Sequence, residues 1–138
     1  GSYELDPCAV DTAHELAVIE QLGEYIKKPD EDLKSMVQGL MGHKGRVRLA
    51  FGEPITAASS LEDLTEQLDQ TIVANTRLYP THRYARALNA GLDTQDLVNH
   101  PTVRVLAAEL ESLSAAERPF LLQQYANIWR NRQELGIG

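Results

Sequence analysis

The chain has a single cysteine, Cys8, so no disulfide can form within it, and a reducing, cytosol-facing compartment is the default reading. No apolar run approaches the ~20 residues that span a bilayer, and no signal peptide opens the sequence. Positive charge is scarce: 13 Lys and Arg stand against 20 Asp and Glu, a formal net charge of -7. That balance argues against a general nucleic-acid binder, which needs clustered cations to meet the phosphate backbone. Catalytic signatures are missing too. Gly42-His43-Lys44-Gly45 fits neither the P-loop nor the dinucleotide fingerprint, and there is no G-x-S-x-G elbow. His14, His43, His82 and His100 lie far from any second ligand at metal-binding spacing and read as surface or boundary residues. Cys8 precedes a helix, where a thiol pKa can fall, but no histidine stands near it in sequence. No catalytic residue, metal ligand or cofactor is therefore assigned.

What is present is a patterned, core-forming sequence. Its 138 residues are 43% hydrophobic, enough for one ordinary domain. Tyr3-Glu4-Leu5 reads as the end of a strand, halted at Asp6-Pro7. With Gly1-Ser2 resembling a cloning remnant, a cut from something longer is expected. Leu16, Ile19, Leu22 and Ile26 predict a first helix, capped by Asp11 or Thr12 and closing at Lys27-Lys28-Pro29. Leu33, Met36, Val37, Leu40 and Met41 follow the amphipathic helical template without exception, and Gly42 ends that helix.

Val47, Leu49 and Phe51 alternate with Arg46, Arg48 and Ala50, the clearest strand pattern in the chain. A capping box at Ser59/Glu62 or Ser60/Asp63 opens a long helix through Leu61, Leu64, Leu68, Ile72 and Tyr79, stopped by Pro80. Helices follow from Thr81 to Ala90 with Gly91 as cap, from Asp93 or Thr94 to His100-Pro101, and through Val103, Leu106, Ala107, Leu110 and Leu113. Ser114 and Glu117 box the last one, which carries Leu121, Tyr125, Ile128 and Leu135. The expected fold is α+β and mostly α, with two short strands at about 2–6 and 45–53 and six or seven helices. A soft boundary near residues 90–101 divides it.

One local feature departs from the acidic background. Lys44, Arg46 and Arg48 form a basic strip, with the two arginines on the strand face opposite Val47, Leu49 and Phe51. Such a strip is either a solvated face or a contact for an anionic headgroup or phosphate.

Three stretches resemble bacterial glycerolipid acyltransferases of the 1-acylglycerol-3-phosphate type. Ser2-Tyr3-Glu4-Leu5-Asp6-Pro7-Cys8 is similar to an S-Y-E-x-D-P-C string of one subgroup. Lys44 to Ile55 (KGRVRLAFGEPI) resembles a late strand that typically reads G-x-V-x-V-x-F-G-x-P-I, and Asn75 to Thr81 resembles the segment after it. The resemblance covers about residues 2–90. It implies that 1–90 is the C-terminal part of an acyltransferase α/β domain and 91–138 a helical tail. Acyl-CoA or acyl carrier protein and a lysophospholipid would then be partners of the parent, which would sit at the cytoplasmic side of an inner membrane, while this segment alone would be soluble.

The family's catalytic motif is H-x-x-x-x-D, its histidine the general base and its aspartate the orienting group. Here the fifth residue after each histidine is Ile19, Arg48, Ala87 or Val105, so the motif is absent, as is any E-G-T-R-like phosphate block. No catalytic residue carries over. Val47, Leu49 and Phe51 would be buried against helices in that scaffold, each worth on the order of 1.5–3 kcal/mol. An unpaired strand edge would invite a homodimer. The alternative reading is a stand-alone helical interaction or regulatory module. A third, a lipid- or carrier-docking groove at Phe120, Tyr125 and Trp129, competes with simple core packing of those aromatics.

Overall fold

A computed structural model describes residues 1–138. The order is β1 (Ser2–Tyr3), α1 (Ala9–Leu22), α2 (Glu31–Met41), β2 (Val47–Arg48), α3 (Leu61–Asn75), α4 (Pro80–Ala90), α5 (Pro101–Ser112) and α6 (Arg118–Glu134). This is an α+β, mostly helical fold. Its sheet is one antiparallel pair, with Ser2 opposite Arg48 and Tyr3 opposite Val47. Both strands are shorter than the pattern predicts. The Glu4 N–H is shared between the carbonyls of Lys44 and Arg46, and the Leu5 N–H returns to Lys44. Two residues thus converge on one carbonyl, which ends the regular ladder.

The core forms where α6 meets α1 and α4, with α5 closing the side. Val103, Leu106 and Leu121 are fully buried, as helical spacing predicts. Residues on both sides of position 90 contribute, from Leu5 and Ala9 to Leu121 and Tyr125. The aromatics considered for a docking groove go to packing instead. Tyr125 is buried, Phe120 packs on the core, and the Arg86 guanidinium sits 4.0 Å over the Trp129 ring.

Several boundaries move. α1 ends at Gly23, which takes a left-handed φ of 83°, rather than at Lys27-Lys28-Pro29. Its buried face is Ala9, Ala13 and Ala17, while Ile19, Leu22 and Ile26 are exposed. Alanines let the backbone of α1 approach α6 closely, so small residues rather than large ones define that interface. α3 stops at Asn75 and Tyr79 lies beyond it. Pro80 does not end a helix but begins one, at the first position of α4, where its missing N–H is harmless. Residues 95–99 form successive turns instead of a helix. The caps hold: Ser60 Oγ accepts the Asp63 N–H while Asp63 accepts from Ser59, Gly91 terminates α4, and Ser114 and Glu117 bond reciprocally.

The largest departure concerns apolar faces. Val47, Leu49 and Phe51 are 61%, 69% and 88% exposed, not buried. β2 has β1 as its single partner, and no third strand or helical layer covers that side. The chain after Arg48 runs over α3, so closely that a Cβ on Gly52 would stand 2.4 Å from Thr71 Cγ2. α2 buries none of its residues. No helix is long and apolar enough to cross a membrane.

These placements separate core from surface leucines. Leu106→Ala should cost about 2–5 kcal/mol by opening a cavity, whereas Leu40→Ala should stay within about 0.5 kcal/mol. Denaturant unfolding of the two variants checks this, and equal losses would mean that the outer face of α2 is buried in solution.

Candidate functional site

The site is built around Glu4. This carboxylate is buried, its side chain only 4% exposed, at the junction of β1, the 44–46 loop and α4. Oε2 accepts the Arg46 backbone N–H at 2.8 Å. Oε1 accepts from Arg46 Nε at 2.8 Å and lies 2.6 Å from the terminal Nη2. The Glu4 carbonyl takes the Thr81 hydroxyl at 2.6 Å, fixing the start of α4. Gly45 makes this approach feasible. It has φ +65°, and a Cβ there would fall 2.5 Å from Glu4 Oε2. Burial alone would raise the Glu4 pKa, but the Arg46 hydrogen bonds and charge outweigh it and hold the carboxyl below its ordinary range.

The basic strip is therefore not a uniform face. Arg46 is committed to Glu4, with its guanidinium also 5.5 Å from the Tyr79 ring centroid. Lys44 Nζ donates to the Leu40 and Gly42 carbonyls at the C-terminal end of α2, where a cation meets the negative end of the helix dipole. Arg48 alone makes no side-chain hydrogen bond or ion pair, and it lines a shallow groove with Ala50, Thr71 and Asn75. Arg46 also lies outside the regular strand, so the alternation that would align it with Arg48 does not apply.

Beside the clamp is a cleft of about 210 Å³, lined by Ser2, Tyr3, Asp6, Thr76, His82, Gln124 and Tyr125 among others. His82 Nδ1 accepts the Tyr79 N–H at 2.9 Å, so the neutral ring carries its proton on Nε2. Burial lowers the His82 pKa to about 4, against an opposing pull from Glu4. Tyr125 Oη accepts the Asp6 N–H at 2.9 Å, and burial first of all raises its pKa. Asp6 Oδ1 in turn accepts the Cys8 N–H at the head of α1.

The cleft thus offers donors, a neutral imidazole N–H and a phenol O–H, but no nucleophile paired with a base. The other histidines are dispersed: His14 sits 3.2 Å from Glu117, and His43 and His100 are exposed. No three His, Cys, Asp or Glu side chains converge closely enough to hold a metal ion.

Glu4 and Thr81 are the residues that sequence reasoning misses, while His82, read there as a surface or boundary residue, and Tyr125, read as a groove or core aromatic, are placed together beside them by the fold. The one available signal was a charged residue between Tyr3 and Leu5 in a strand-like run. Comparison with protein families, curated proteins and solved structures finds no match for this chain.

The clamp predicts unequal arginines. Arg46→Ala leaves a buried carboxylate without its partner and should cost about 1–3 kcal/mol, while Arg48→Ala should be neutral within about 0.5 kcal/mol. Urea titrations of both variants decide it. The pH profile follows from two groups. His82 binds its proton more weakly folded than unfolded, so its contribution is complete above about pH 6.5 and falls as pH drops toward 4. Glu4, also depressed, contributes fully at neutral pH and loses that contribution as pH falls through its folded value. Thermal stability should therefore decline on acidification from pH 6.5, and His82→Gln should flatten the upper part of that decline.

Proposed function

We propose that this chain is the C-terminal part of a glycerolipid acyltransferase, supplying scaffold rather than reacting groups. In this reading residues 1–90 complete an α/β domain and 91–138 form its helical tail. The general base and its aspartate lie elsewhere in the parent, which moves an acyl group from acyl-CoA or acyl carrier protein to a lysophospholipid hydroxyl.

The observation that carries the reading is the uncovered sheet. A lone two-stranded pair is marginal in water, and here its continuation exposes Val47, Leu49 and Phe51 in strict alternation. Those residues form the segment that resembles the family's late strand. Their exposure fits a strand whose neighbours and covering helices belong to the rest of a domain. Arg48 is the member of the basic strip free to meet an acceptor phosphate.

The test compares two proteins. Residues 1–138 alone should transfer no acyl group from acyl-CoA or acyl carrier protein to lysophosphatidic acid, while the product of the complete gene should. Transfer by the isolated chain, or none by the complete product with either donor, overturns the reading.

A further inference from the structure

Residues 24–43, which include α2, form a strap across the head of α1, and none of them is buried. The side of α2 that faces the body is small and polar. Three hydrogen bonds join it to the turn that starts α1. The Gln38 amide donates to the Pro7 carbonyl, the Cys8 thiol to the Ser35 carbonyl at 3.5 Å, and the Ser35 hydroxyl to the Cys8 sulfur at 3.8 Å. At the end of the helix Gly42 lies so close to Pro7 that a Cβ there would overlap its ring. Elsewhere α2 and α1 are parted by a polar cleft of about 390 Å³, lined by Thr12, Glu15, Lys34 and Gln38 among others. No dry apolar seam couples this helix to the core.

The two ends of the strap are fixed independently of it. On one side Gly23 closes α1 in a left-handed conformation, its N–H on the Ile19 carbonyl. On the other, the Glu4 and Leu5 N–H groups hold the Lys44 carbonyl, and Glu4 clamps Arg46. Between these anchors the bonds run within the strap. Glu31 accepts from the Tyr25 hydroxyl and the Lys28 N–H, and Asp32 pairs with Lys27 at 2.8 Å. Lys44 Nζ caps the Leu40 and Gly42 carbonyls. Such contacts keep α2 helical without tying it to the core.

From this geometry we infer that residues 24–43 lift away from the head of α1 as one unit, uncovering Pro7 and Cys8, while the core of α1, α4, α5 and α6 stays folded. Opening breaks three polar contacts and gives up little buried apolar surface, so it needs far less free energy than global unfolding. The outward stripe of Leu33, Met36, Val37, Leu40 and Met41 does not oppose it, because these side chains stand in water before and after. Once released, a helix of 11 residues is marginal on its own and melts, which makes the opening cooperative. The strap opens or stays shut irrespective of acyl transfer.

Native-state hydrogen exchange of residues 1–138, read amide by amide by NMR, tests it. The amides from Ser35 to Gly42 should share one protection factor, about a hundredfold or more below that of Leu121 to Ile128 in α6. Gln38→Ala deletes the bond to Pro7 while improving helix propensity, so it should lower α2 protection by about three- to tenfold and leave α6 unchanged. Gly42→Ala should act in the same direction, because its Cβ pushes on Pro7 and the Gly42 φ of -66° suits alanine. Protection of α2 within about threefold of α6 overturns the inference, since α2 then opens only when the whole protein unfolds. A gradient of protection along α2 overturns it too, as that means fraying in place. So do unprotected α2 amides, which mean no docked helix, and variants that lower α6 protection together with α2. The readout needs no acyl transfer, so failure here leaves the assay of the complete gene product to judge the acyltransferase reading.

Discussion

A carboxylate removed from water is unfavourable unless its oxygens are met by cations or N–H groups, and Glu4 satisfies that condition through one neighbour, Arg46. Side chain and backbone of Arg46 both bond it, which fixes the 44–46 loop in the conformation that Gly45 alone permits. Glu4 also orders β1 against β2 through its own N–H and positions α4 through its own carbonyl. The charge of Glu4 also reaches His82 in the adjoining cleft. Sheet, loop, helix start and cleft therefore share one electrostatic anchor. An arginine that sequence reading offers for ligand binding is needed first for folding.

Around that anchor the protein is finished on one side and open on another. α6 gathers α1 and α4 into a dry core, with an alanine stripe allowing α1 to approach closely. The sheet edge and α2, by contrast, leave large apolar side chains in water. Each would contribute on the order of 1.5–3 kcal/mol if covered, so their exposure is hydrophobic stabilisation left unused within this chain. The two open surfaces differ in kind. The strand continuation has the alternation of a sheet interior and suits the remainder of an α/β domain. The α2 face is a helical stripe of Leu33, Met36, Val37, Leu40 and Met41 on which nothing in this chain packs.

Much of the secondary structure was legible from periodicity and caps. Leu33 to Met41, Val103 to Leu113 and the Ser60 and Ser114 caps read correctly because each signal is local: a repeat of 3.6 or a side chain reaching three residues on. Misreadings arose where the signal was ambiguous locally. Pro80 can end one helix or begin the next, and the chain uses it to begin. Leu16, Ile19 and Leu22 suggested the buried face of α1, but Ala9, Ala13 and Ala17 share the same spacing and won through close contact with α6. The candidate site was less legible still. Lys44, Arg46 and Arg48 are adjacent in the sequence, yet one caps a helix, one clamps Glu4 and one is free.

The sequence by itself determined that the segments of α1 to α6 are helical and that a basic, strand-like segment follows α2, because these depend on neighbours within a few residues, while several helix ends moved under tertiary contacts. Tertiary structure decided which faces turn inward. A periodic stripe states that a partner is wanted, not which element supplies it. For Glu4 the partner lay 42 residues away at Arg46, for Tyr125 it was Asp6 across 119 residues, and for the apolar face of α2 nothing in this chain supplies it.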